Sequence, residues 1–526
     1  MDTGIDAIKE LASQTHFSSL DWIIVIVYLL GSVAIGWIGR SYVKDMTDFI
    51  GAGRTIGTRL GIATMAGTEM GLITVMYSAQ KGFAGGFAAF HIAVLAGVVA
   101  FFVGISGFIV SRLREMEVLT IPEFYEKRFG KPVQVLGGIL LALGGILNMG
   151  LFLKVGAMFI VGITGLSSSG IALKVTMTLL IVLVLFYTVL GGMISVVITD
   201  YIQFVVLSIG ILLTTVLCIT NLGWDNIIST IETQQGPGGF DPFSNEGFGS
   251  SYVVWMAFMG LVNCAIWPTA IARALIMKSS REVKRQFMWS AIPFTIRQMI
   301  PIFWGLCAFA FIYTQAPDLK EAFFPEDPEA EPMDNLLAMP IFLGRILPIG
   351  VIGIISAAMI AAFMSTHDSY LLCWSSVITQ DIISPLCGGL SQKGRVLVTR
   401  IAIVCIGIYV WGWGIFYEGD QDIWEYMGIT GAVYFSGAFA LLWGGLYWKG
   451  GSSFGAILSL ICGFFAVIGL EPVQEGLGHL FRLFFQIDIL WPSEAQIGLT
   501  IIALSSIAFI VGSLLVPDRK PKTSTQ

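Results

Sequence analysis

The segment SAAMIAAFMSTHDSYLLCWSSVITQD, residues 356–381, is long and apolar enough to cross a bilayer, yet it carries a row of oxygen-bearing side chains. A spanning helix needs about 20 mainly apolar residues. Ser365, Asp368 and Ser369 fall at i, i+3 and i+4, so a helix places them on one face. Thr366 lies about 100° further round the same helix. Such oxygens suit a hard cation, although Ser and Thr also pack membrane helices together without binding an ion.

The rest of the chain has the composition of a membrane protein. Of its 526 residues, 56% are hydrophobic and 12% are charged, whereas soluble domains are about 25% charged. The mean hydropathy is +0.82, and no globular core could bury this much apolar chain. The net charge is −6, and no basic stretch is long enough to bind nucleic acid. We therefore predict an all-α polytopic protein that has the lipid bilayer, and not a nucleic acid, as a partner.

Apolar runs bounded by charged or turn-rich segments predict about thirteen spanning helices. They lie near 20–39, 57–79, 83–111, 132–164, 170–190, 194–220, 251–272, 288–313, 348–384, 397–417, 423–446, 452–470 and 496–516. Most Lys and Arg residues fall in alternate connections, such as 112–131 and 273–285, whereas the opposite connections are acidic, as in 323–334. The same alternation includes Arg40, Lys44, Arg519, Lys520 and Lys522. By the positive-inside rule, the N-terminus lies outside and the C-terminus in the cytoplasm, and we expect a plasma (inner) membrane.

The order of the spans predicts one transmembrane transporter domain over residues 1–526 with an internal repeat. The stretches 57–220 and 251–446 each contain five predicted spans. An odd number of spans turns the second copy over in the membrane, which is the inverted repeat of many transporters. Residues 20–39 and 452–516 would form peripheral helices outside this five-plus-five core.

Each predicted repeat opens with a helix that contains residues able to interrupt it. The interrupting residues and their polar neighbours are Gly67, Thr68, Glu69 and Gly71 in the first repeat and Gly260, Asn263 and Pro268 in the second. Paired interruptions of this kind mark the central binding site of transporters, although glycines also allow membrane helices to pack closely. We predict broken first and sixth core helices.

Few charged side chains fall in the middle of a predicted span, and each costs about 2.5–3.5 kcal/mol there. They are Glu69, Lys154, Asp200, Arg297 and Asp368. For Lys154 and Arg297, a structural ion pair or a contact with a loop is as good an explanation as a functional role, and we assign neither residue a role. The sequence contains no Cys/His set for a transition metal, no nucleophile triad and no nucleotide-binding loop. These absences predict no catalytic residues, no transition-metal site and no enzymatic activity.

Four motifs resemble those of the sodium/solute symporter family, whose members import proline, pantothenate, sugars, carboxylates, choline or iodide. AAFMSTHDSYLLCWSSVITQDI (361–382) is similar to the family signature around its eighth core helix, and YTVLGGMISVVITDYIQ (187–203) to a second signature. TIPEFYEKRFG (120–130) and RALIMKSSREVKRQF (273–287) resemble its inner loops. The resemblance covers nearly the whole chain. It implies a secondary active symporter that imports a small organic solute by alternating access, with sodium as the coupling ion and no other cofactor.

The resemblance also implies the ligands of a main sodium site. Backbone carbonyls of Gly67 and Met70 in the first broken helix, and of Ala362, correspond to those that hold the ion in the family. The hydroxyls of Ser365 and Thr366 complete the set.

Some members of the family hold a second sodium ion with the aspartate of a TDxxQ motif, which corresponds to Asp200. The other ligands lie one turn along the eighth core helix, here Asp368 and Ser369. Because Asp368 is a carboxylate where several members have a hydroxyl, the second ion stays an open question at this point.

The predicted solute site consists of Thr68, Glu69, Asn263 and Trp267. Glu69 stands where proline carriers have Asp and sugar carriers have Asn, and a carboxylate there could meet a substrate ammonium, a cation or a proton. Trp267 and Arg273 match a WxxxxxR spacing by which the choline branch places an aromatic ring near its substrate. Aromatic faces attract ammonium groups, although Trp267 could equally serve packing or the membrane interface. Together these residues favour an amine-bearing or zwitterionic solute, such as an amino acid.

Two other functions fit the same scaffold. Glu69 or Asp368 could couple transport to protons instead of sodium, and a non-transporting membrane sensor could use the fold to signal. The sequence sets neither the identity of the solute nor the ion stoichiometry nor the oligomeric state.

Overall fold

The computed structural model describes residues 14–39, 54–166, 170–327, 330, 332–417, 423–485 and 490–518, and this part of the chain is built from helices joined by short connections. The predicted inner residues Arg40, Lys44, Arg519, Lys520 and Lys522 lie outside the described residues.

The α-helices of this part follow one another along the chain with the bounds below. They are α1 (Ser19–Gly39), α2 (Thr58–Glu69), α3 (Leu72–Gly85), α4 (Phe90–Ser106), α5 (Val110–Glu115), α6 (Ile121–Phe129), α7 (Lys131–Met149), α8 (Phe152–Thr164), α9 (Gly170–Leu222), α10 (Trp224–Gln235), α11 (Gly249–Ala265), α12 (Pro268–Leu275), α13 (Ser280–Thr314), α14 (Pro317–Phe323), α15 (Ala338–Ile346), α16 (Val351–Val377), α17 (Ser384–Leu386), α18 (Gln392–Phe416), α19 (Ile423–Tyr447), α20 (Ser453–Phe464), α21 (Glu471–Phe485) and α22 (Glu494–Leu515). A π-helical stretch, Ile378–Ile383, joins α16 to α17.

Among the described residues, nine helices are long and apolar enough to cross a membrane, and a bent pair built from α20 and α21 raises the number to ten. Shorter apolar helices occur at Ser19–Ser32, Ile171–Phe186 and Asn335–Ile346. The prediction of an all-α polytopic membrane protein is therefore confirmed. The total of thirteen spans stays a prediction.

Two helices are interrupted at the places where the sequence predicts broken core helices. The first interruption separates α2 from α3, and Met70 between them leaves the helical conformation with φ −94° and ψ 61°. The second separates α11 from α12, where Trp267 is extended and Pro268 begins the new helix. Proline suits a first helical position because its missing N–H would have no partner there. The repeat boundaries 57–220 and 251–446 stay predictions.

The centre of the molecule is formed by the interrupted helices together with α9, α13 and α16. Helix α13 packs along α3 and α4, and α16 packs against α9. Almost every side chain of α16 is buried, whereas α9 and α18 expose apolar side chains such as Leu179 and Ile408. Apolar outer surfaces of this kind suit contact with lipid.

Helices α3 and α13 meet backbone to backbone through a reciprocal pair of glycines. A Cβ atom at Gly82 would collide with the carbonyl of Ile302, and one at Gly305 would collide with the carbonyl of Ala79. Small residues are what allow membrane helices to approach this closely.

We therefore expect Gly82→Ala and Gly305→Ala to destabilise the protein, because either methyl group would push α3 away from α13. Overpacking of this kind costs about 1–3 kcal/mol, which thermal unfolding of the purified protein in detergent would show as a lower midpoint. Gly412→Ala in α18 is the matched control, because a Cβ there meets open space. Equal midpoints for all three variants would contradict the close crossing.

Candidate functional site

Asp200 on α9 is the centre of a buried polar cluster that joins three helices. Its Oδ2 accepts hydrogen bonds from Thr64 Oγ1 at 2.6 Å and Thr68 Oγ1 at 3.2 Å, both on α2. Its Oδ1 accepts a hydrogen bond from Ser365 Oγ on α16 at 2.5 Å. The carboxylate has no exposed surface, so these bonds replace the water that it loses on burial.

Arg273 on α12 brings a buried positive charge into the same cluster. Its Nη2 lies 3.3 Å from Asp200 Oδ2 and donates hydrogen bonds of 2.6 Å to Thr68 Oγ1 and to Ser369 Oγ. The loop-charge pattern of the sequence places Arg273 among the inner-loop residues and does not predict this role. The WxxxxxR spacing of Trp267 and Arg273 singles out this arginine in the sequence, but it does not identify Asp200 as its partner.

The predicted sodium ligands on α16 lie against the interruption between α2 and α3. Thr366 Oγ1 is 3.0 Å from the carbonyl oxygen of Ala362 and 3.4 Å from that of Thr68. A Cβ atom at Gly71 would overlap the same hydroxyl. The absence of a side chain at Gly71 is therefore what lets Thr366 reach the interrupted backbone.

The remaining predicted sodium ligands are connected to this contact through Asp200. Gly67 faces Asp200, since a Cβ atom at Gly67 would lie 3.1 Å from the backbone oxygen of Asp200. Ser365 binds the carboxylate of the same residue, and Met70 lies at the interruption itself. The structure thus brings the elements that carry the five predicted sodium ligands together in one region.

The three residues predicted to hold a second ion also lie together. Ser369 Oγ is 3.1 Å from Asp368 Oδ1 and accepts the hydrogen bond from Arg273, and Asp200 binds the same guanidinium. A second ion would therefore share Asp200 and Ser369 with Arg273.

A cavity lies beside the two helix interruptions. All four residues predicted to contact the solute, Thr68, Glu69, Asn263 and Trp267, line it, and so does Thr366. Its lining of charged, polar and aromatic side chains is of the kind that binds a small organic solute.

Aromatic side chains form much of the cavity wall. Trp267 donates a 2.9 Å hydrogen bond from Nε1 to Tyr370 Oη, and the rings of Tyr77 and Trp424 lie 4.3 Å apart. Phe435 also faces the cavity. Trp267 is buried inside the protein, so it does not serve the membrane interface.

Glu69 and Arg297 form an ion pair at the cavity wall. Arg297 Nη1 lies 2.9 Å from Glu69 Oε2 and donates a 2.8 Å hydrogen bond to the Glu69 carbonyl. Thr269 Oγ1 donates to Glu69 Oε1 at 3.0 Å. The sequence offers an ion pair or a loop contact as the structural explanation for Arg297 and Lys154. Arg297 forms an ion pair, whereas Lys154 donates a 3.0 Å hydrogen bond from Nζ to the carbonyl of Tyr417.

The chain is similar to known proteins over most of its length. A model of the sodium:solute symporter family matches residues 49–463. A sodium/proline symporter of Staphylococcus aureus (strain Newman) is 23% identical over 507 residues, which cover 91% of this chain and 91% of that protein.

Two solved structures share the fold at low sequence identity. One is a substrate-bound, outward-open state of a sodium-coupled sialic acid symporter, with a TM-score of 0.77, 19% identity and coverage of 96% of this chain and 99% of that one. The other is MhsT in complex with L-phenylalanine, with a TM-score of 0.54, 16% identity and coverage of 85% and 98%. The arrangement of helices is therefore that of known helical transporters.

We expect Arg273→Ala to destabilise the protein strongly, because it leaves Asp200 buried without its cation. Breaking a buried pair costs about 3–5 kcal/mol, and thermal unfolding in detergent would measure the loss. Arg273→Lys should lose less, because it keeps the charge but not the planar fork. The control is Arg285→Ala, whose half-exposed side chain pairs with Glu282 at 3.5 Å and should change stability by about 1 kcal/mol or less. Equal stability of Arg273→Ala and Arg285→Ala would exclude the buried pair.

Proposed function

The chain belongs to the sodium:solute symporter family, and from this premise we propose that it is a sodium-coupled secondary active symporter that imports a small organic solute by alternating access. Substrate would be moved without covalent catalysis. The coupling ion would be sodium, and no other cofactor is needed.

One observation carries the proposal: the predicted sodium site and the cavity meet at one junction, where Thr366 on α16 lies against the interruption between α2 and α3. Thr366 contacts the carbonyl of Thr68 and also lines the cavity. Glu69, the next residue along the interrupted helix, lines the same cavity. An ion that fixes this junction would therefore shape the solute site directly.

We assign the sodium ion to the carbonyls of Gly67, Met70 and Ala362 and to the hydroxyls of Ser365 and Thr366. The interruption after α2 leaves backbone carbonyls outside the helical hydrogen-bond pattern, as in other transporters with broken helices. Ser365 donates its hydrogen to Asp200, which leaves its oxygen lone pairs available to a cation. Oxygen ligands of these kinds suit a hard cation.

The coupling mechanism follows from this shared junction. Sodium enters from the outside and gains about 2.3 kcal/mol per 100 mV of membrane potential. By binding across the interruption and α16, it would hold the solute site in its binding conformation. Thermodynamic linkage then requires the solute to raise the affinity for sodium by the same factor.

The orientation and the moving parts are also proposed. The loop charges support an N-terminus outside and a C-terminus in the cytoplasm, and the proposed location is a plasma membrane. The repeats 57–220 and 251–446 would rock against one another around the central site, while 20–39 and 452–516 stay peripheral.

Sodium coupling is favoured over proton coupling by the partner of Glu69. Its carboxylate is already neutralised by Arg297, so it is poorly placed to carry a proton across the membrane. Asp368, Ser369 and Asp200 remain the proposed position of a second sodium ion, which would have to replace hydrogen bonds that Asp200 now accepts from Arg273 and the neighbouring hydroxyls.

The test is uptake by proteoliposomes that contain the purified full-length protein, with and without an inward sodium gradient. The panel should contain labelled amino acids, including proline, as well as sialic acid, other carboxylates, vitamins and sugars. We expect at least one solute to accumulate only when the sodium gradient is present. Uptake that ignores sodium and follows a pH gradient would establish the proton-coupled alternative instead.

We expect Ser365→Ala and Thr366→Ala each to raise the sodium concentration for half-maximal uptake by about tenfold or more, the effect of losing about 1.4 kcal/mol of ion binding. The matched control is Ser356→Ala, which removes another buried hydroxyl of α16 away from the helix interruption. Sodium dependence that is the same in all three variants would remove the assigned site.

A further inference from the structure

We propose that Glu69 and Arg297 together form a receptor for a zwitterion, in which Arg297 binds a carboxylate and Glu69 binds an ammonium group of the same solute. This inference rests on the proposed function, because it takes the central cavity as the solute site. It gives a role to Arg297, to which the sequence pattern assigns none.

The charge of the cavity wall suits a solute that carries both signs. Among the described residues that line the cavity, Glu69 and Arg297 are the only charged ones. They lie within 2.9 Å of each other, so the cavity wall is electrically neutral but strongly dipolar. The other lining residues are apolar, aromatic or neutral polar.

The guanidinium of Arg297 has unused donors. In the part of the chain that the structure describes, its hydrogen bonds come from Nη1 alone, and both go to Glu69. The Nε group is buried and has no hydrogen-bond partner there. An arginine presents Nε and Nη2 as a planar fork that matches the two oxygens of a carboxylate, and a buried donor without a partner is costly. A solute carboxylate that accepts from this fork would relieve that cost.

The carboxylate of Glu69 has unused acceptor capacity. A carboxylate can accept about four hydrogen bonds. Within the described ranges, the two side-chain oxygens of Glu69 accept one each, from Thr269 and Arg297. An ammonium group can therefore bind to Glu69 without breaking its pair with Arg297.

The ammonium would also lie near an aromatic ring. Thr269, which binds Glu69, is two residues beyond Trp267 on the second interrupted helix, and Trp267 lines the cavity. Aromatic faces attract ammonium groups, more strongly where water is excluded.

A zwitterion fits this wall better than a solute with a single charge. It adds one positive and one negative group, so the cavity stays neutral when it is occupied. A solute with a single charge would leave either Glu69 or Arg297 without an oppositely charged group of the solute. A neutral solute would leave the Arg297 fork without a partner.

The competing explanation is a fastening role, in which the ion pair of Glu69 and Arg297 only stabilises the end of α2 at the helix interruption. Arg297 does donate to the Glu69 backbone carbonyl at the end of α2, where a positive charge is favourable. A fastening role predicts that changing either residue lowers uptake of every solute by the same factor. A receptor role predicts a change in selectivity between solutes.

The experiment compares solutes that differ only in charge. For the amino acid that the full-length protein in proteoliposomes takes up best, uptake is competed with the same amino acid, its amide and its deaminated acid. The amide keeps the positive group and the acid keeps the negative one. We expect each analogue to compete at least about tenfold more weakly than the parent, as for loss of a charge-assisted hydrogen bond. Analogues that compete within about threefold of the parent would overturn the receptor.

Two conservative variants then separate the two charges. Arg297→Gln should reduce the preference for the parent over its amide, and Glu69→Gln should reduce the preference for the parent over its deaminated acid, each by about tenfold. The matched control is Arg345→Gln, which removes another arginine from an ion pair, with Asp318 at 2.8 Å, outside the cavity lining. The selectivity of this control should equal that of the unmodified protein. If the Glu69 and Arg297 variants instead lost uptake of all solutes by the same factor, only the fastening role would remain.

Failure of this inference is distinguishable from failure of the proposed function. Sodium-dependent uptake of a sugar or a singly charged carboxylate, with none of any amino acid, would overturn the receptor and keep the symporter. If no solute showed sodium-dependent uptake, binding can still be measured without transport. The measurement is the increase in the thermal unfolding midpoint of the detergent-purified protein when amino acids are added. Stabilisation by an amino acid that is lost in both Arg297→Gln and Glu69→Gln would support the receptor, and no stabilisation by any amino acid would overturn it.

Discussion

The structure depends on the pairing of one buried carboxylate, Asp200, in a region where water cannot satisfy it. Hydroxyls of Thr64, Thr68 and Ser365 and the guanidinium of Arg273 all donate to this carboxylate. These four donors use about all the hydrogen-bonding capacity that a carboxylate has. These donors come from α2, α12 and α16. Their hydrogen bonds to one side chain on α9 therefore hold both interrupted helices and the hydroxyl-bearing helix in their relative positions.

The two ion pairs near the centre of the protein differ in a way that bears on function. Asp200 and Arg273 are enclosed, and the acceptor capacity of the aspartate is used within the protein. Glu69 and Arg297 lie at a cavity wall and, among the residues that the structure describes, keep unused acceptors and donors. Buried pairs are a weak source of net stability, so the first is best explained as fixing the arrangement of helices. The second retains the capacity that a ligand requires.

The similarity to known transporters extends over nearly the whole chain although few residues are identical. The sialic acid symporter shares the fold at 19% identity, and the Staphylococcus aureus relative shares 23%. Apolar surfaces that face lipid can exchange one aliphatic side chain for another at little cost, whereas helix interruptions and buried polar contacts cannot. At this level of identity, the solute site has to be inferred from the side chains of this chain.

The sequence by itself determined the all-α membrane class, the two helix interruptions and the row of hydroxyls on α16, because hydropathy, glycine and proline positions and helical spacing are local properties. It also indicated Glu69 and Trp267 as cavity residues. Only the tertiary structure decided which charges meet. Arg273 is 73 residues from Asp200, and Arg297 is 228 residues from Glu69, and no local pattern relates positions so far apart. The physical reason is that a buried charge takes its partner from whichever helix packs beside it, and packing is a property of the whole fold.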